Sequence, residues 1–236
     1  MTTIDPEPAA ENRLLAALPA ADAAGLRPYL EPVELATEQI LYRPGDTITA
    51  VYFPRTAAVT VLTALADGVL VEAAMVGREG MVGLPAFLGD DVSRALVLCQ
   101  IPGDTWRMDT EAFRAVVDVT HPLHPRLLRY TAMRLVQVAQ IAACNRRHAV
   151  VARCATWLVL AADGVGSEAF PITHRFLALV LGVRRATVAV AAAALQRAGL
   201  IRYRAGHLVI VDRPGLEAAA GECYRVIRDA FDRLLD

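Results

Sequence analysis

The sequence contains no lysine; all 24 of its basic side chains, histidine aside, are arginine. Arginine's planar fork suits bidentate recognition of phosphate, but a GC-rich genome that avoids lysine codons explains the absence more economically. Cysteine is scarce. The four, at 99, 144, 154 and 223, form no Cys-x-x-Cys pair. That pattern argues against a zinc site or a disulfide framework, and favours a reduced cytoplasmic setting with each cysteine a small buried hydrophobe. Histidine is missing from the whole stretch 33–108, since the five lie at 121, 124, 148, 174 and 207. No run of 18 apolar residues fits a membrane, and the acidic start MTTIDPEPAAEN lacks a signal-peptide apolar region. A soluble chain without a membrane partner is expected. No nucleophile–base pair or metal constellation stands out either, so neither enzymatic activity nor a cofactor is expected.

Charge is unevenly placed. The formal net charge of −1 over 236 residues hides a split: residues 1–120 carry −9 and residues 121–236 carry +8. An acidic front and a basic back imply two jobs, with the basic part facing phosphate. The length allows one or two domains.

Residues 1–12 read as a flexible tail, and Asn12 to Leu30 as helical with a break near Pro19. From Val33 to Met108 short alternating runs appear: Ile40–Tyr42, Val51–Phe53, Val59–Leu62, Val69–Val71 and Ala95–Leu98. Pro-Gly-Asp, Asp-Gly and Gly-Arg-Glu-Gly separate them. This spacing predicts an antiparallel sandwich or jelly roll, a sensor-sized domain over residues 1–120. A jelly roll can be a cupin-type metal enzyme, but the strands carry no histidine ligands. A short helix opens at Asp109, and a long one runs from Pro122 or Pro125 towards Arg147. Its apolar stripe, Leu128, Ala132, Leu135, Val138 and Ala142, fits either a helix packed on its own domain or a dimer seam over residues 121–147. Another helix follows from His148 to Ala162, then a loop Asp163–Ser167, and a last helical segment begins near Arg213 and reaches Asp236.

The most informative stretch is 171–211. One helical pattern starts after an N-cap at Thr173 and a second runs from Val183 to a stop at Gly199, with Gly182 between them. So short a connection makes the helices cross steeply, which is the helix-turn-helix pattern, although a plain helical hairpin also fits. Three features decide for DNA. Arg184, Arg185 and Thr187 open the second helix, where base edges and phosphates are reached. The stretch holds six arginines and no acid. Finally Leu200–Arg204, Gly206 and Leu208–Val211 pattern as a basic β-hairpin, the wing of a winged helix within residues 148–236.

In this order and with these motifs, the chain resembles the Crp/Fnr (catabolite-activator-like) family of bacterial transcription regulators. Arg43-Pro44-Gly45-Asp46 and Gly77–Gly83 match turns of the family's β-roll; Ile172–Val211 matches its reader. The resemblance implies an α+β fold with an N-terminal cyclic-nucleotide-binding-like β-roll, a dimerisation helix and a C-terminal winged helix-turn-helix. It implies a homodimer on double-stranded promoter DNA, with RNA polymerase as a partner and a small-molecule effector of unknown identity. Thr173, His174, Arg175, Arg184, Arg185, Thr187, Arg202 and Arg204 then form the DNA-binding set, with Arg185 on a base. The dimer helix uses Leu128, Leu135, Val138 and Ala142. The sensor departs from the family's pattern: Gly83 and Arg94 keep the cyclic-nucleotide spacing, but Leu84 replaces the ribose-binding Glu and Ala95 the phosphate-binding hydroxyl. In the reader, Ala186 and Val190 stand where polar base contacts are usual. The alternative is a dimeric ligand-binding module whose degenerate helix-turn-helix serves partner contacts.

Overall fold

A computed structural model describes residues 12–235. The expected tail falls outside these residues except for Asn12, which is not tail-like. It is fully buried; its amide donates to the carbonyls of Pro54 (2.9 Å) and Gly80 (2.8 Å) while its Oδ1 accepts from the backbone of Leu14 and Leu15. An asparagine at a helix N-cap satisfies orphan amides in this way. It caps α1 (Arg13–Ala16), and Pro19 separates that turn from α2 (Ala20–Leu26).

Seven strands follow: β1 (Glu31–Leu35), β2 (Ile40–Tyr42), β3 (Ala50–Pro54), β4 (Ala58–Ala64), β5 (Leu70–Val76), β6 (Leu96–Ile101) and β7 (Gly103–Asp109). They form two antiparallel sheets, ordered β1-β7-β3 and β2-β6-β4-β5. Strands β1 and β7 are additional to the runs picked out by alternation. Glu31, Pro32 and Glu34 disguise β1, yet it is an edge strand, the place where proline and charge are tolerated. The short α3 (Leu84–Phe87) bridges β5 and β6, and α4 (Thr110–Val116) leads out of the roll. The roll's core is Leu35, Phe53, Met81, Trp106, Met108 and Phe113.

The long helix α5 spans Leu123–Arg147. Its inner face, Leu123, Leu127, Tyr130 and Met133, completes the roll's core. Its opposite face leaves Leu128, Leu135 and Val138 exposed, at 51%, 69% and 42%, along with Ala142.

Helix α6 (Val150–Val165) is longer than the sequence suggests, because Asp163-Gly164-Val165 is helical and the chain turns only at Gly166, φ +69°. Glycine is placed within this last turn for contact: a Cβ on Gly77 would overlap the backbone of Gly164. The amide of Arg78 donates to Gly164 O (2.8 Å) and its Nε to Asp163 O (3.0 Å). Two backbones thus meet directly where roll and C-terminal part join.

Beyond lie β8 (Ala169–Pro171), α7 (His174–Leu181), α8 (Arg185–Arg197), β9 (Ile201–Arg204) and β10 (His207–Ile210), the strands ordered β8-β10-β9. The final segment is not one helix. Gly221, at φ +70°, divides α9 (Arg213–Ala220) from α10 (Glu222–Leu235), and α10 folds back onto α5. That return corrects the reading of the cysteines. Cys99 and Cys154 are buried thiols, the pKa of each pushed up to about 12 by burial. Cys144 on α5 and Cys223 on α10 instead form a disulfide across 79 residues of sequence. Spacing motifs find only local pairs, and this pair exists only because α10 returns.

Candidate nucleic-acid interface

Thr173 caps α7, its Oγ1 accepting from Phe176 N at 3.1 Å. Leu181 ends the helix, Gly182 takes φ +61°, and α8 leaves at 106° to α7. Helix α8 starts at Arg185, two residues later than the apolar pattern indicates, because Arg184 is extended (φ −70°, ψ 146°) and serves as N-cap. Leu177, Leu181, Val188 and Ala191 are buried between the helices. Their spacing on both helices forces the steep crossing. No single helix among the described residues is long and apolar enough to cross a membrane.

The crossing turns one face of α8 outward. Arg184, Arg185, Ala186 and Thr187 are all exposed or partly so, as are Ala189 and Val190. On β9, Arg202 and Arg204 are exposed to one side of the strand while Tyr203 turns to the other. None of these four arginines has a carboxylate partner among the described residues. The result is a one-signed surface made of a helix start and a hairpin.

Two residues of the expected DNA set are engaged elsewhere. His174 is half-buried and stacks on Tyr203, rings 4.4 Å apart and 13° from parallel. Burial, and then the Arg185 charge, lower its pKa, which favours the neutral ring, and the stack braces the wing against α7. Arg175 is exposed and ion-paired with Glu38, in the turn after β1. That pair joins the first helix of the reader to the roll.

The sensor residues scatter. Gly83 adopts φ +92°, with Tyr42 and Val51 only 3.0 Å from where a Cβ would sit, and Leu84 packs on the roll's core. The Arg94 side chain is 78% exposed and lies 3.3 Å from Asp90. Ala95 is half-buried, its carbonyl accepting from Ser93 Oγ at 2.8 Å.

The chain matches the model of the cyclic nucleotide-binding domain over residues 32–119 and that of the Crp-like helix-turn-helix domain over residues 152–219. These two domains, in this order around one long helix, decide the family. The chain belongs to the Crp/Fnr family. Its fold matches a CRP-family transcriptional regulator from Thermus thermophilus (21% identity, TM-score 0.66, covering 80% of this chain and 97% of that one). It also matches FixK2 from Bradyrhizobium japonicum (18%, 0.67, 80% and 96%). A third match is the c-di-GMP responsive global regulator CLP of Xanthomonas campestris (17%, 0.62, 81% and 99%). Among proteins of curated function, none matches the sequence.

In this Crp/Fnr regulator, the junction of roll and reader carries polar chemistry that motif reading misses. Glu72 on β5 is buried, accepting from Thr60 Oγ1 (2.6 Å) and from Trp157 Nε1 on α6 (2.9 Å). Burial raises its pKa to about 7, against those two hydrogen bonds and the more distant Arg134. Glu79 is held similarly, its pKa raised by burial while it accepts from Gly77 N at 2.9 Å. The available signal was a single carboxylate inside the apolar strand Leu70–Val76. Nearby, a cavity of about 550 Å³ opens between Arg13, Arg78, Glu79 and Arg213. Its charges largely answer one another, Arg213 alone reaching Asp163, Glu168 and Glu217.

Proposed function

We propose that this chain binds double-stranded promoter DNA as a homodimer, with α8 in the major groove, β9 and β10 along the backbone, and RNA polymerase as its partner at the promoter. The observation that carries the reading is the exposed, carboxylate-free arginine set at the start of α8 and on β9. Arg185, first in the helix, reads a base; a bidentate arginine favours guanine. Arg202 and Arg204 hold phosphates. Ala186, Ala189 and Val190 offer methyl contacts to thymine rather than polar readout.

The dimer reading rests on α5. Leu128, Leu135 and Val138 line one exposed face at near-heptad spacing, opposite the face that closes the roll's core. Two copies joined there place two α8 helices for half-sites about one helical turn apart. The β-roll then serves as sensor or scaffold. It lacks the usual cyclic-nucleotide cassette, because Leu84 cannot accept from a ribose hydroxyl and Arg94 lies outside, on Asp90.

Gel shift against promoter fragments at two salt concentrations, with sedimentation in parallel, tests both parts. Binding that weakens steeply with salt and needs a two-half-site duplex is expected. A chain that sediments as a monomer at micromolar concentration, or ignores DNA at low salt, removes the reading.

A further inference from the structure

Cys144, His148 and Cys223 meet where three helices come together. Cys144 lies near the end of α5, His148 is that helix's C-cap residue four positions on, and Cys223 is the second residue of α10. The i, i+4 spacing puts Cys144 and His148 on one side of the helix, and the return of α10 supplies the third group. Both sulfurs are buried and the imidazole partly so; the candidate ligand atoms all lie within 4.8 Å of one another. The two Cα atoms are 6.5 Å apart.

The imidazole has a direction. Nδ1 faces Cys223 Sγ at 3.2 Å, and on the far side Nε2 lies 3.6 Å from Glu222 Oε1. Gln140 adds its amide to Cys223 Sγ at 3.4 Å. A disulfide needs two cysteines and nothing more. It has no use for a ring nitrogen aimed at the sulfur, or for a carboxylate behind the other nitrogen. A cation site uses both: thiolates and imidazole as ligands, and an outer carboxylate to hold the tautomer.

We propose that, once the Cys144–Cys223 bond is reduced, this cluster binds a thiophilic divalent cation of the zinc class through both thiolates and His148 Nδ1, with Glu222 orienting the imidazole. A dithiol reductant opens the site: the S–S bond breaks, Cys144 and Cys223 become thiols, and the reductant leaves as its own disulfide. The cation then displaces the two thiol protons. His148 stays neutral, with its proton on Nε2 directed at Glu222. Three protein ligands leave a fourth position for water or an incoming ligand, the arrangement of an open rather than a closed zinc site. His148 and Ala149 are all that lies between α5 and α6, so the cation fixes the end of one helix to the start of α10 beside that joint.

The test uses the full-length chain, reduced without thiols by a phosphine, freed of reductant and titrated with Co²⁺ and then Zn²⁺. One Co²⁺ per chain is expected, with thiolate-to-cobalt charge-transfer absorption and tetrahedral d–d bands, all displaced by Zn²⁺. Cys144→Ser and Cys223→Ser each abolish the charge-transfer band's full intensity and the tight binding. His148→Ala weakens binding and moves the d–d bands. Glu222→Gln keeps the spectrum and lowers affinity by about 10–100-fold, as loss of an outer carboxylate does. The oxidised wild type is the control that needs no substitution, since its ligands are capped and it must not bind. If reduced wild type binds Zn²⁺ no better than the oxidised form, or His148→Ala binds as tightly as wild type with the same spectrum, the cluster is a disulfide alone and the proposal fails.

Discussion

Three arginines of the roll and four of the reader form two contrasting sets. In the roll, Arg94 sits on Asp90, Arg114 on Asp91, and Arg107 between Glu31 and Asp109. In the reader, Arg184, Arg185, Arg202 and Arg204 have no carboxylate partner among the described residues. Exposed ion pairs contribute little to stability, roughly 0–1 kcal/mol. The contrast therefore says less about holding the fold than about which surface keeps its charge for an outside anion. On these roll arginines positive charge is neutralised where it arises; on these four of the reader it is left standing, while Arg175 and Arg213, away from that face, are paired. The same residue type thus serves opposite ends in the two halves.

If the roll's charges are answered internally, cyclic nucleotides should find no site there, and this carries the largest expected effect. Leu84 and Ala95 leave two ligand polar groups unpartnered, at about 1–3 kcal/mol each, or roughly 30-fold to over 10⁴-fold in affinity. Titration calorimetry with cyclic AMP and cyclic GMP should show no sub-micromolar binding. Tight binding abolished by Arg94→Ala would merge the two sets. Next comes the exposed stripe of α5. Leu135→Arg puts an unpaired charge into the proposed seam, a cost of about 3–5 kcal/mol, and sedimentation should show the proposed wild-type dimer replaced by monomers.

The third test concerns the joint rather than either surface. Glu72 has its pKa raised from 4.5 to about 7. Between those values the folded chain keeps a proton that the unfolded chain has lost. Stability is therefore greatest below the lower value, falls as pH rises through the window, and levels off above about 7. The span corresponds to about 3 kcal/mol. Urea denaturation across that window should lose most of this slope in Glu72→Gln, whose amide can keep partners at Thr60 and Trp157; an unchanged slope assigns the titration elsewhere, Glu79 being the other candidate.

Smaller effects sharpen the reader's side. Arg185→Ala should cost about 1–3 kcal/mol on the specific site and relax preference at one base pair. Arg204→Ala should weaken all sequences alike and flatten the salt slope by about 0.9. Equal losses on specific and random duplex for Arg185→Ala would take base reading away from it. Smallest of all, Glu38→Ala frees Arg175 from the roll at roughly 0–1 kcal/mol; a modest gain in DNA affinity is expected by gel shift, and none if Arg175 faces no phosphate.

Most of the element order was legible because periodicity reports burial directly. Thr173, Gly182 and Gly199 marked the helix ends, and the apolar positions between them marked the crossing. What stayed hidden depends on residues far apart in sequence. Asn12 reads as tail because its partners, Pro54 and Gly80, lie in the roll. Cys144 and Cys223 read as isolated because α10 must return to unite them. His174 and Arg175 read as DNA contacts at a helix start, and only the fold shows that Tyr203 and Glu38 engage them. Single-residue chemistry predicts what a side chain can offer; the fold decides whether the offer is already taken.

The contact of Gly77 with Gly164 has a mechanical consequence. Where side chains interlock, two bodies share a latch, and moving one past the other means unpacking it. Here two bare backbones touch, so this one point of the seam has no side-chain latch of its own. The pins lie beside it: Arg78 on Asp163 and Gly164, and Trp157 on Glu72. A turn of the reader about that point would still have to break these hydrogen bonds, at about 0.5–1.5 kcal/mol each, and unpack the apolar core that Leu62, Met75 and Leu98 of the roll share with Trp157, Leu158 and Phe176. A single methyl at position 77 would drive into the Gly164 backbone and push the two halves apart.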